Sequence, residues 1–98
     1  METLTELISS TTPVLVDFHA EWCVPCRRMV DVLKHIKDMQ GEAMRVIKVD
    51  VDKYPSVAAH YIIQTIPTLI LFKNGKQVWR QSGVIDSVNL NKIIDMFK

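Results

Sequence analysis

The chain has little of what marks several specialised protein classes. Its 98 residues include only two cysteines, and its 12 basic and 11 acidic residues nearly cancel. Two cysteines are too few for a disulfide framework, and the interleaved charges leave no basic stripe for a phosphate backbone. No apolar run approaches the ~18 residues of a membrane helix. We therefore expect neither a nucleic acid nor a membrane as a partner.

The N-terminal stretch METLTELISS also lacks the basic and apolar regions of a secretion signal. We expect a cytoplasmic protein, although a mature form trimmed of its signal would have the same appearance. The length fits one domain over residues 1–98, and a hydrophobic content of 48% is ordinary for a globular protein.

Hydrophobic spacing and turn residues predict the element order α, βαβ, α, ββ, α. The first half is predicted to contain a capped helix ending near residues 9–13, the strand VLVDFH, a helix over residues 24–39 and the strand RVIKVD. The second half is predicted to contain a short helix over residues 54–61, the strand TIPTLILF, the turn KNGK leading into the strand QVWRQS, and a closing helix around residues 90–97. The run VLVDFH is rich in β-branched residues, which predicts a strand buried on both faces. RVIKVD predicts a second buried strand that completes a βαβ unit, so the two strands run parallel. Asp17 interrupts the first of these strands.

The two cysteines stand three positions apart in the stretch EWCVPCRR. As a structural staple, this four-residue loop stabilises the fold by only roughly 2 kcal/mol in the loop-closure model. As a zinc site, the pair supplies two of about four ligands, so the scattered histidines would have to converge on it. A lone CxxC in a cytosolic βαβ setting is more typical of redox chemistry.

The position of the pair suits a reactive thiol. Cys23 lies where the first strand ends and a helix begins, and Pro25 fits the first helical turn because its missing N–H needs no partner there. The helix N-terminus and the nearby Arg27 and Arg28 favour the thiolate, which is the nucleophilic form. Cys26 follows one turn later, within reach of closing a disulfide with Cys23.

Several motifs together resemble the thioredoxin family along nearly the whole chain. They are VDFHAEWCVPC, IPTLILFKNGK and the glycine of QSGVID, in this order. The resemblance implies an α/β, thioredoxin-like fold with a four-stranded mixed sheet flanked by helices. The family's usual first strand is missing, which places the RVIKVD strand at a sheet edge.

The resemblance implies a thiol–disulfide oxidoreductase that reduces disulfides of protein substrates. Cys23 attacks the substrate disulfide, and Cys26 then resolves the mixed disulfide. Asp17 matches the family's buried aspartate, a proton acceptor for Cys26, and Lys48 matches its lysine neighbour. A carboxyl in an apolar strand should have a raised pKa, although Asp17 and Lys48 also fit a tolerated ion pair without a catalytic role.

The resemblance also implies a substrate-binding surface around the reactive sulfur. Its residues are Trp22, Val24, Pro25, Ile66, Pro67, Gly83 and Val84. Pro67 matches the family's cis-proline, which lets the backbone of Ile66 pair with an extended substrate. Val84 fits an isolated surface residue equally well.

Two residues depart from the family pattern. Val24 replaces the glycine of the common CGPC motif, and the residues between the cysteines tune the redox potential in the family. His19 replaces an aromatic residue. We expect it to serve packing or solvent contact, although an imidazole titrates near neutral pH.

The resemblance implies no metal and no tightly bound cofactor, because the dithiol itself is the redox group. Electrons would come from an NADPH-dependent flavoprotein, thioredoxin reductase, and the chain would act as a monomer. A disulfide oxidase or isomerase using the same cysteines is an alternative, as is a non-catalytic zinc-binding or interaction module.

Overall fold

A four-stranded mixed sheet with helices on both faces forms the frame of the protein. The computed structural model describes residues 3–98. Its elements are α1 (Leu4–Ile8), β1 (Val14–His19), α2 (Val24–Gln40), a 3₁₀ turn (Gly41–Ala43), β2 (Arg45–Asp50), α3 (Pro55–His60), β3 (Thr68–Lys73), β4 (Lys76–Ser82) and α4 (Ser87–Met96). This is the α/β architecture that the sequence predicts.

Side-chain caps fix where the helices begin. The Thr3 hydroxyl accepts a hydrogen bond from the Glu6 amide at 3.2 Å and caps the predicted N-terminal helix. The Asp86 carboxylate accepts from the Asn89 amide at 2.9 Å and caps α4 in the same way. Helix α2 ends at Gly41, whose φ of 54° few other residues adopt readily.

The strands lie in the order β2, β1, β3, β4. Strand β1 pairs with β2 in parallel and with β3 antiparallel, so it is the central strand that precedes the cysteines. Strands β3 and β4 form the hairpin that KNGK predicts, with Asn74 and Gly75 both at positive φ as this type of turn requires. No strand precedes α1 within residues 3–98.

The alternation of side chains along β1 divides the core into two layers. One layer packs the sheet against α2 and α4, and its fully buried members include Leu15, Met29, Leu33, Ile36, Leu69, Leu71, Leu90 and Ile94. The other layer packs the sheet against α1 and α3, and its buried members are Ile8, Val14, Val16, Phe18, Val49, Ile70 and Phe72. A strand covered on both faces is fixed in register, since a slip by one residue would exchange the two layers.

The prediction that β2 is a buried strand is wrong for most of its length. Only Val49 and Asp50 of this strand are buried, whereas Arg45 and Lys48 are exposed. The reason is the position of β2 at the sheet edge, which the family resemblance also implies.

Within the described range, no helix has both the length and the apolar character needed to cross a membrane.

Candidate active site

The cysteine pair lies at the N-terminus of α2, directly after the turn that follows β1. Cys23 and Cys26 are joined by a disulfide, with their Cα atoms 5.3 Å apart. The Cys23 amide donates to the carbonyl of Ala20 at 3.2 Å, which holds the turn against the end of β1. Both cysteines are buried, with 3% and 5% of their surface exposed. The disulfide therefore has little exposed surface.

The start of α2 gives the Cys23 sulfur a positive environment. Cys23 is the N-cap residue, and its Sγ accepts a hydrogen bond from the Cys26 amide at 3.2 Å. Unpaired amides and the dipole at a helix N-terminus both favour a thiolate at this position. The Arg27 guanidinium is directed to the turn instead, where it donates to the Glu21 carbonyl at 3.1 Å. The helix end itself therefore supplies positive potential at Cys23 without this guanidinium.

The loop before β3 lies against the outer side of the disulfide. The Ile66–Pro67 peptide bond is cis, as the family resemblance implies. The Cys23 Sγ lies 3.8 Å from the Ile66 carbonyl oxygen. Pro67 is buried, and its carbonyl accepts a hydrogen bond from the Gly83 amide at 2.8 Å. This bond ties the loop after β4 to the loop beside the sulfurs.

Asp17 lies behind the disulfide, in the middle of β1. Its side chain is only 3% exposed, and its Oδ1 has no hydrogen-bond partner in the structure. Burial raises the pKa of Asp17 from 3.8 to about 6, and the charges of His19 and then of Lys48 oppose this rise. A carboxyl with this pKa exchanges its proton near neutral pH, as a general base must.

Lys48 lies beside Asp17 in the parallel register of β1 and β2. No ion pair joins the two side chains in the part of the chain that the structure describes. Both residues line a cavity of about 170 Å³ that also reaches Cys26. The cavity therefore connects the buried carboxyl with the second cysteine.

The surface around the disulfide is apolar. Trp22 and Val24 are 67% and 60% exposed, Val84 is 40% exposed, and Ile66 is partly buried. Pro25 is exposed in the first turn of α2. Isolated exposed apolar residues are common on proteins, but several of them near one reactive group favour a binding surface there.

Asp52 is a site residue that the sequence did not reveal. Its carboxylate accepts a hydrogen bond from the indole N–H of Trp22 at 2.8 Å, across a separation of 30 residues. From the sequence, the acidic stretch 50–52 is expected to be solvated at the strand end or to cap the helix after it. Asp50 instead accepts from the amides of Asp52 and Lys53, and this turn carries the Asp52 carboxylate toward Trp22.

The histidines do not gather at the cysteines. Residues 3–98 contain no group of three or more histidine, cysteine, aspartate or glutamate side chains placed to hold a metal ion. His35 and His60 are exposed on α2 and α3, and only His19 lies near the pair, on the cavity shared by Asp17 and Cys26.

Comparison with known proteins gives the same assignment along nearly the whole chain. The family model described as Thioredoxin matches residues 2–96. A thioredoxin-like protein of Synechocystis sp. is 43% identical over 91 residues, which cover 93% of this chain and 87% of that protein. Thioredoxin 1 of Synechococcus elongatus is 41% identical over 90 residues, covering 92% of this chain and 84% of its own.

The fold comparison agrees with the sequence comparison. A solved structure of thioredoxin-2, described as a component of malaria parasite protein secretion machinery, superposes with a TM-score of 0.85. It is 28% identical, and the superposition covers 87% of this chain and 82% of the other. The shared fold therefore extends well beyond the motifs around the cysteines.

Proposed function

We propose a mechanism for this chain, which belongs to the thioredoxin family and is a protein disulfide reductase, a thiol–disulfide oxidoreductase with a redox-active cysteine pair. In this mechanism Cys23 is the nucleophile and Cys26 is the resolving thiol. The observation that carries this order is the position of Cys23 as the N-cap of α2, where its sulfur accepts the Cys26 amide. A sulfur at this position is stabilised as a thiolate, whereas Cys26 lies inside the first turn.

In the first step, the Cys23 thiolate attacks one sulfur of a substrate disulfide. A bond forms between Cys23 and that sulfur, and the other substrate sulfur leaves as a thiolate that takes a proton from water. The substrate has then gained one thiol and is held covalently through Cys23.

In the second step, Cys26 gives its proton to the Asp17 carboxylate and attacks Cys23. The Cys23–Cys26 disulfide forms, and the substrate's second sulfur leaves as a thiolate and is protonated. The shared cavity beside Asp17 and Cys26, together with the pKa of about 6 for Asp17, supports Asp17 as the proton acceptor. Lys48 contributes a positive charge that favours the ionised carboxyl.

We assign substrate binding to the apolar rim and the adjoining backbone. Extended substrates pair with the backbone of Ile66 next to the cis peptide of Pro67, since strand-like main-chain recognition tolerates many sequences. The rim residues that contact substrate side chains are Trp22, Val24, Pro25 and Val84. Gly83 lies beside the same loop and has no side chain to obstruct the approach.

The wider setting follows from the family. We propose that residues 1–98 form one thioredoxin domain that acts as a monomer in the cytoplasm, where glutathione and related systems keep thiols reduced. Its substrates are disulfide-containing proteins. We further propose that an NADPH-dependent flavoprotein, thioredoxin reductase, returns electrons to the Cys23–Cys26 disulfide and that the protein needs no bound cofactor of its own. The redox-active motif of this domain is CVPC, residues 23–26.

Trapping of the mixed disulfide tests the order of attack. Cys26→Ser, mixed with a disulfide-containing protein such as insulin, should accumulate a covalent complex that disappears when dithiothreitol is added. Cys23→Ser is the matched control and should form little complex, because Cys26 is not at the helix cap. Complex formation by Cys23→Ser, together with none by Cys26→Ser, would reverse the proposed roles.

A further inference from the structure

The cavity behind the disulfide contains charged groups that the two proposed chemical steps do not use. Its lining includes Asp17, Cys26 and Lys48, and in addition His19, Glu21 and Arg27. Among these lining residues Asp17 is buried, and its Oδ1 has no hydrogen-bond partner in the described residues. A proton that Asp17 accepts leaves past the side chains that line this cavity.

His19 lies on the same face of β1 as Asp17. The two residues are two positions apart on one strand, which places their Cα atoms roughly 6.5 Å from each other with side chains on the same side. Asp17 is buried, whereas His19 at the end of β1 is only partly buried. His19 thus lies on the cavity between the buried carboxyl and the exposed end of β1.

The other charged residues of the cavity are unsuited to moving a proton at neutral pH. Lysine and arginine side chains keep their protons there, and a glutamate on the surface stays without one. An imidazole both takes up and releases a proton between about pH 5 and pH 8. Among the lining residues of this cavity, His19 has the chemistry that the transfer requires.

We propose that His19 is a positioning residue that acts through Asp17. Its neutral imidazole takes the proton from the Asp17 carboxyl and passes it to solvent, and while the imidazole holds that proton its positive charge keeps the carboxyl ionised. The proton balance is complete. Cys26 loses one proton to Asp17, Asp17 passes it to the imidazole, and the imidazole releases it to water as the new disulfide forms. The charge of His19 is also the largest influence opposing the raised pKa of Asp17, ahead of that of Lys48.

Titration of Asp17 tests the electrostatic half of this inference. The oxidised protein, labelled with ¹³C at aspartate carboxyls, is titrated by NMR as wild type, His19→Gln and His35→Gln. His35 is exposed on α2 and outside the cavity, so its variant controls for the loss of a histidine. We expect the Asp17 midpoint to rise in His19→Gln by about one pH unit and to stay unchanged in His35→Gln.

The rate of disulfide closure depends on both halves, namely the ionised share of Asp17 and the transfer of its proton through the imidazole. Reduced protein reacts with dithiobis-nitrobenzoate, so that the first released thionitrobenzoate reports attack by Cys23 and the second reports closure by Cys26. A rise of the Asp17 midpoint from about 6 by one unit lowers its ionised share at pH 6 from one half to roughly one eleventh. The second release should therefore be about fivefold slower in His19→Gln at pH 6, and added free imidazole should restore part of the rate.

A second variant separates charge from proton transfer and guards against a folding defect. His19→Lys keeps a positive charge but holds its proton near neutral pH. We expect it to retain the wild-type Asp17 midpoint and still to close slowly, with partial rescue by imidazole. Wild-type closure rates at pH 6 in both His19→Gln and His19→Lys, with an unchanged Asp17 midpoint in His19→Gln, would overturn the inference.

Because the inference rests on the role proposed for Asp17, the same assay includes Asp17→Asn. Slow closure in Asp17→Asn with normal closure in both His19 variants removes only His19 from the pathway. Normal closure in Asp17→Asn removes the proposed role of Asp17 itself. The two failures are therefore distinguishable.

Discussion

Replacing Asp17 with asparagine should stabilise the protein in neutral and alkaline solution but not in acid. The carboxyl is buried, and its pKa rises from 3.8 to about 6 on folding. Below the lower value both the folded and the unfolded state hold it protonated, so it has no effect on stability. Above the upper value the folded state contains a buried charge, and the stability that the neutral form contributed has been lost.

The size of the effect follows from the same two values. A shift of about 2.2 units corresponds to about 3 kcal/mol, since one unit is worth about 1.4 kcal/mol. Asparagine has nearly the same shape and does not ionise. The difference in unfolding free energy between Asp17→Asn and wild type should therefore grow by about 3 kcal/mol between pH 3.5 and pH 8, most of it as the pH rises from 4 to 6.

Urea unfolding of the oxidised protein, followed by circular dichroism at several pH values, measures this difference. Asp31→Asn, which removes an exposed carboxylate on α2, is the matched control and should show little pH-dependent gain. A constant difference between Asp17→Asn and wild type across this range would refute the raised pKa. The proposed role of Asp17 as proton acceptor would then lose its physical basis.

Two further substitutions test the loops around the disulfide. Gly83→Ala should lower the free energy of unfolding by about 1–2 kcal/mol in urea, because Gly83 has φ 93° while the space for a Cβ is open; an unchanged midpoint would show that the loop relaxes freely. Asp52→Asn weakens the hydrogen bond to the Trp22 indole. In a Trp79→Phe background it should lower the fluorescence anisotropy of Trp22 and raise KM for a protein disulfide with little change in kcat, and equal anisotropy would mean that Asp52 does not hold the ring.

The elements that could be predicted from the sequence are those with local signals. Helix α2 follows from the spacing of Met29, Leu33 and Ile36, which face one core layer. The β3–β4 hairpin follows from Asn74 and Gly75, because few other residues adopt the positive φ values of that turn. Both signals lie within a few residues of the structure they specify.

The features that the sequence could not supply depend on contacts between distant segments. The hydrogen bond between Trp22 and Asp52 joins two turns 30 residues apart, and no local sequence pattern predicts it. The burial of β2 was predicted wrongly because a β-branched run looks alike in a central strand and at an edge. The cis peptide before Pro67 came from the family resemblance, since only about 5% of such bonds are cis in folded proteins.

The measurement closest to the central claim is the redox equilibrium of Cys23 and Cys26. The purified protein is equilibrated across a series of thiol–disulfide buffers, and the free thiols are alkylated and counted by mass. We expect the pair to stay oxidised until the buffer is more reducing than the glutathione pool, as a disulfide reductase requires. A pair that is already reduced in mildly oxidising buffer would contradict this account and indicate a disulfide oxidase or isomerase instead.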